Sequence, residues 1–164
     1  MSEYVDYVGA ISVSPALNAA EIRYLERFAG TRRMDRKSGP YATIETPRLV
    51  VPDGDIIDVN RPPSGQPGLS CQWAPTADGS HLEWNRRTKF PFAAEWLTYL
   101  IDSFLKPDAA LHQELLNPVT GRYYAPEFRE FTFDHVLDGL IEAQGEDGDH
   151  WQILVRNNSV SVLE

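Results

Sequence analysis

The chain has 164 residues, 42% of them hydrophobic and 24% charged, with a formal net charge of −9 and a single cysteine, Cys71. At this length the simplest organisation is one domain over residues 1–164, burying roughly 70% of the surface its unfolded chain would expose. The charge disfavours nucleic-acid backbones and anionic lipid surfaces, and a lone cysteine excludes both a disulfide framework and a cysteine-based zinc cluster.

A single thiol suits a reducing compartment. The opening residues, MSEYVDYVGA, lack the basic and apolar regions of a secretory leader. The richest apolar stretch, around Ala93–Leu105, is interrupted by Glu95 and Asp102 and is too short to span a bilayer. The expected setting is the cytoplasm, without membrane association.

The chain opens on an alternating segment, in which Val5, Tyr7, Gly9, Ile11 and Val13 share one face. Period two predicts a strand with one buried side, ended by Pro15. A helix follows: Asn18 is its N-cap and Glu21 completes a capping box, with Leu17 and Ile22 at the staple positions. Ile22, Leu25 and Phe28 form the apolar stripe, and Gly30 stops the helix.

The basic run RRMDRK, Arg32–Lys37, precedes the breaker Gly39-Pro40 and is expected to be a solvated loop. YATIETPRLVV has strand character, but Pro47 and Pro52 predict an edge strand, and VNRPPSGQPG is a loop by composition. LSCQWAPTADGSHLEW predicts a hairpin turning in two residues at Asp78-Gly79, with Trp73 opposite Trp84. Pro91 is expected at the first position of a second helix whose apolar face is Trp96, Leu97, Leu100, Ile101, Phe104 and Leu105, closed by Pro107. A short helix over Ala109–Leu116 and the aromatic loop NPVTGRYYAPEF follow.

The last segment is constrained by register. A three-residue loop, Glu146-Asp147-Gly148, pairs Ala143 with Trp151, Ile141 with Ile153 and Gly139 with Val155. Gly148 takes the left-handed position. A turn at Asn157-Asn158 pairs Val155 with Val160 and Ile153 with Val162. One apolar row then crosses three strands, which a one-residue slip would invert. The element order predicts an α+β two-layer sandwich related to ferredoxin-like folds. Its sheet is mainly antiparallel, with two main helices on one face and a C-terminal three-stranded meander.

No motif selects a reaction. The histidines, His81, His112, His135 and His150, lack metal-ligand spacing. Glu146, Asp147 and Asp149 lack the distal glutamate of a calcium loop and read as turn-forming acids. Cys71 shares a face with Trp73 and reads as a small buried hydrophobe. Neither GxSxG nor a phosphate-binding glycine loop occurs. Glu95 and Asp102, seven apart on the second helix, fit a solvated stripe as well as an acid–base pair. No metal or cofactor is expected.

The stretches QPGLSCQWAPTADGSHLEWNRRTKF, EWLTYLIDSFLKP and GLIEAQGEDGDHWQILVRNNSV resemble a family of small uncharacterised proteins of high-GC Gram-positive bacteria and their phages and mobile elements. In that family the second helix leads quickly into the meander, so the resemblance implies that residues 108–130 are an insertion. It implies no activity and no site residues.

The function expected from these features is a non-enzymatic protein-binding module, an inhibitor, immunity or anti-defence protein of a phage or mobile element. Its contacts are expected at Glu146, Asp147, Asp149, Tyr123 and Tyr124, facing a protein partner with a basic surface. The alternative is a small hydrolase-like enzyme using His135 or His150 with nearby carboxylates.

Overall fold

The alternating N-terminal segment forms β1 (Val5–Ser14), and it becomes a central strand because it can pair on both edges. The computed structural model describes residues 4–43 and 53–164. On one side β1 runs antiparallel to β6 (Val136–Gly145) along its whole length, from Val5 opposite Gly145 to Ser14 opposite Val136. On the other it pairs β5 (His81–Trp84), with Ile11 opposite Leu82. Adding β4 (Trp73–Pro75), β7 (His150–Arg156) and β8 (Ser159–Leu163) gives one open six-stranded antiparallel sheet, ordered β4-β5-β1-β6-β7-β8.

The expected registers are present. Trp73 faces Trp84; Ile141 faces Ile153, which faces Val162. Gly148 closes the three-residue loop at φ 93°, and Asn157 and Asn158, at φ 50° and 70°, make the next turn. Positive φ at both central residues matches the right-handed twist of the strands they join. The β4–β5 connection is wider than expected: the amide of Gly79 donates to the Thr76 carbonyl, and four residues, 77–80, separate the paired positions. The register survives because the loop grows symmetrically about Asp78-Gly79. This loop docks on the end of β1 and the segment leading into the first helix, since the amide of Leu17 donates to the Gly79 carbonyl at 2.9 Å and that of Val13 to Ser80 at 2.8 Å.

One face of the sheet is covered by helices. α1 (Ala19–Gly30) has its complete capping box, with Asn18 and Glu21 bonding each other's backbone amides. α2 (Ala93–Leu100) begins two residues beyond Pro91, behind Phe92 at φ 63°. Proline therefore precedes this helix and does not open it. α2 runs into a π-helical turn, Ile101–Leu105. Its apolar residues come in pairs four apart, 96/97, 100/101 and 104/105. An α-helix advances about 100° per residue, so each step of four overshoots by about 40°. The wider i→i+5 turn opposes that drift, and all six side chains are buried.

A short helix, α3 (Ala110–Leu116), and a 3-10 turn, Pro126–Glu130, complete the helical layer. Residues 108–130 are built into the core: Leu111, Ala125 and Phe128 are buried, and Phe128 lies edge-on to Tyr24, ring centroids 4.7 Å apart. Arg27 of α1 holds Glu127 through two 2.9 Å bonds, a fork geometry that fixes orientation as well as charge. A separate ribbon pairs β2 (Asp35–Arg36) with β3 (Ile56–Asp58). The edge strand expected in YATIETPRLVV falls largely on residues 44–52, outside the described residues. Among the described residues no helix is long and apolar enough to cross a membrane.

Two glycines with positive φ separate conformational strain from close packing. A Cβ on Gly148 (φ 93°) meets nothing, whereas one on Gly79 (φ 74°) collides with the Leu17 backbone. In urea unfolding, Gly148→Ala should cost about 1 kcal/mol, the left-handed penalty alone. Gly79→Ala should cost about 2 kcal/mol or more, because backbone must also move. Equal losses would show that the hairpin is not seated on the segment leading into α1 in solution.

Candidate functional site

The histidine and carboxylates that sequence alone left scattered do meet, but inside the protein. His135 precedes β6 and is 1% exposed; Glu21, in the first turn of α1, is 0% exposed. His135 Nδ1 lies 2.6 Å from the Pro15 carbonyl, which can only accept, so this nitrogen donates. Nε2 lies 2.9 Å from Glu21 Oε2, which also accepts the Thr132 amide at 3.2 Å. The other Glu21 oxygen accepts the Asn18 amide at 2.9 Å. Thr132 Oγ1 donates to Asp134 at 2.6 Å and sits 3.2 Å from Nε2.

Burial pulls the His135 pKa down, but the Glu21 hydrogen bond and charge, the Pro15 carbonyl and Asp134 together hold it above the ordinary value. With a carbonyl at one ring nitrogen and a carboxylate oxygen at the other, the geometry favours the protonated ring, which can donate from both nitrogens. His135 and Glu21 are both fully buried, and neither lines the clefts beside Arg32, Arg36, Asp102 or His150. This pair can fix three chain segments to one another; it has no room for a substrate.

The other candidates are placed separately. His150 is exposed, opposite Gln144 at the start of β7. Cys71 is buried in the core, and burial pushes its thiol pKa up to about 12. Glu95 and Asp102 are both exposed on one side of α2 and its extension. Among the described residues no three His, Cys, Asp or Glu side chains form a group that could hold a metal ion.

Glu146, Asp147 and Asp149 are exposed at the β6–β7 tip. Glu146 accepts the Tyr4 amide at 2.7 Å, and Asp147 accepts that of Asp149 at 3.1 Å. Tyr123 and Tyr124 are not beside them. Both are half-buried against the core, the Tyr123 amide bonds Ser38, and the Tyr124 hydroxyl donates to Glu114 at 2.7 Å while accepting from Val119. Their rings serve packing here and are poorly placed as free anchors.

Two features escaped sequence reasoning. The first is the sheet face opposite the helices. Alternation sends Val8 and Ala10 of β1, Leu140 of β6, Leu154 of β7 and Leu163 of β8 to that side, where Val8 is 52% and Leu140 40% exposed. Glu83, Asp138 and Glu142 point the same way, and the acidic tip extends that face at one end. The second is the basic run, which is not a solvated loop. Arg33 and Arg36 are buried while Arg32 and Lys37 are exposed. Arg33 lies 4.2 Å from the centroid of the Phe28 ring and donates to Gln66 and to the carbonyls of Pro40 and Ala42. Neither the run's spacing nor its composition distinguishes buried from solvated arginines.

Two measurements check these assignments. Because the His135 pKa is raised on folding, its stabilisation is full below the unfolded value of about 6.5 and is lost as pH rises through the folded value. An NMR titration should place its midpoint above about 6.5, and Glu21→Gln should lower that midpoint and cost about 3 kcal/mol, as removal of one partner of a buried pair does. A midpoint unmoved by the substitution would show that Glu21 does not hold the proton. Cys71 should resist an aromatic disulfide reagent at about pH 8 until the chain is unfolded; labelling of the native state would mean the thiol is reachable.

No protein-family model matches this chain, and neither a curated protein nor a solved structure shows significant similarity to it.

Proposed function

We propose that this protein is a non-enzymatic binding module that engages a protein partner through the uncovered face of its sheet. The observation that carries the reading is the composition of that face: an apolar row, Ala10–Leu140–Leu154, across three strands, with Val8 and Leu163 diagonal to it, Glu142 beside it, Glu83 and Asp138 on the same face, and the acidic tip at the β6–β7 end. An apolar centre inside a polar rim is the usual anatomy of a protein interface. Carboxylates on the rim call for a partner with basic residues around an apolar patch, and opposite charge accelerates their encounter. A rigid sheet presents this surface at little ordering cost.

The setting in which we place it is inhibition of a basic active-site cleft, as an inhibitor, immunity or anti-defence protein of a phage or mobile element would perform. A hydrolase-like site draws less support. His135 is enclosed with Glu21, and His150 stands on the surface with no hydrogen-bonded carboxylate among the described residues that would orient it as a base.

The test is affinity capture with the tagged full chain, at low and moderate salt, from the source cells or their host. A stoichiometric partner should be retained at low salt and weakened as salt rises. The double substitution Leu140→Arg, Leu154→Arg should abolish capture, while Gln113→Arg on α3 should leave it intact. Capture undiminished by the double substitution, or no partner at either salt, would overturn the reading.

A further inference from the structure

We propose that the cleft beside β2 is a binding site for a small phosphorylated organic molecule, with Arg36 as its anchoring cation. The cleft has a volume of about 480 Å³, and its lining includes Arg36, Lys37, Arg122, Tyr99, Ser64 and Ser103. That size suits a small molecule better than a bare inorganic ion.

Arg36 is the unusual element. Its side chain is 2% exposed, and among the described residues neither Nη1 nor Nη2 makes a hydrogen bond. Its ion-pair partner is Asp55, with 3.5 Å between Nη1 and Oδ2. Both oxygens of Asp55 are already engaged by Ser38: Oδ1 accepts the amide at 2.8 Å and Oδ2 the hydroxyl at 2.7 Å. At 3.5 Å Asp55 supplies countercharge, but among the described residues the guanidinium Nη donors have no hydrogen-bond acceptor. Buried donors without acceptors are costly, more so when charged. An oxyanion entering the cleft supplies the acceptors, and the planar fork of arginine suits two oxygens of one phosphate.

The surroundings select the same chemistry. On a chain of net charge −9, this cleft gathers Arg36, Lys37 and Arg122 against one lining carboxylate, Asp35, which is itself 3.4 Å from Arg61. Behind it Arg33 is buried with carbonyl and amide acceptors and no carboxylate within ion-pair reach among the described residues, adding positive potential. Arg122 is steadied by Glu114 at 2.7 Å and packs over Gly39, where a Cβ would lie 2.7 Å from its Nε. Three cations favour a dianionic phosphate over a single carboxylate. The Ser64 and Ser103 hydroxyls offer further donors, and Tyr41 and Tyr99 supply aromatic walls for the organic part. Residues 108–130 contribute Ala110 and Arg122 to the wall, which gives that segment a role beyond core packing.

The experiment is isothermal titration of the full chain at low ionic strength with inorganic phosphate, ribose 5-phosphate, 5′-AMP and adenosine. At least one organic phosphate should bind saturably with Kd below about 1 mM, more tightly than inorganic phosphate, while adenosine should not bind. Arg36→Gln should weaken binding about tenfold or more. Lys37→Gln and Arg122→Gln, less buried and safer for folding, should each weaken it severalfold. Absence of saturable binding by any phosphate at about 10 mM would overturn the proposal. So would affinity unchanged in all three variants, or inorganic phosphate binding as tightly as every organic phosphate. Arg36→Gln failing to fold leaves the other two variants to decide.

Discussion

The Glu21 carboxylate stands where the fold's main elements converge, and each of its oxygens has a different task. One closes the N-terminus of α1 through the Asn18 amide; the other holds His135 and the Thr132 amide. His135 in turn grips the Pro15 carbonyl. The end of β1, the start of α1 and the approach to β6 are thus tied at one buried point. Because β1 and β6 are the central pair of the sheet, the helical layer is fixed to it at the same place. A buried ionic contact is weak evidence for net stability, but breaking one side leaves an uncompensated group. The pair's firmest role is to set where the helix starts relative to the strands.

Much of the architecture could be read along the chain, and the reasons are local. Alternation, capping and turn residues each restrict a few neighbours, and in the meander two turns had to agree on one buried row. Ile141 and Ile153 align because any slip would expose them, and Val162 follows their register although, on the edge strand, it is 48% exposed. The four-residue loop at Asp78-Gly79 shows the limit: its symmetry preserved the register, so the pairing alone could not reveal its length. Pro91 shows another, since a favourable first helical position lost to a left-handed Phe92.

Polar convergence was not legible. Glu21 reads as half of a capping box, which it is, and nothing near it announces a histidine 114 positions away. Arg33 and Arg36 belong to a run whose composition suggests solvent. Their burial depends on Phe28, Gln66 and Asp55, brought in from other parts of the chain. The uncovered sheet face was hidden for a related reason. Val8, Leu140 and Leu163 lie on strands far apart in sequence, and only their adjacency turns single surface residues into a patch. Carboxylates thus gather along the open sheet face, where Arg86 pairs with Asp6, and a cluster of cations lies beside β2.

The π-helical turn after α2 bears on how this chain can change over generations. Apolar residues at 96/97, 100/101 and 104/105 share one face only while that turn holds its extra residue. Exchange of one aliphatic side chain for another alters volume by a methylene or two, which a core absorbs at modest cost. Loss or gain of a single position between Trp96 and Leu105 would rotate everything beyond it, turning Phe104 and Leu105 out of the aromatic cluster they share with Tyr24 and Phe28. In this stretch, heredity must conserve length more strictly than spelling.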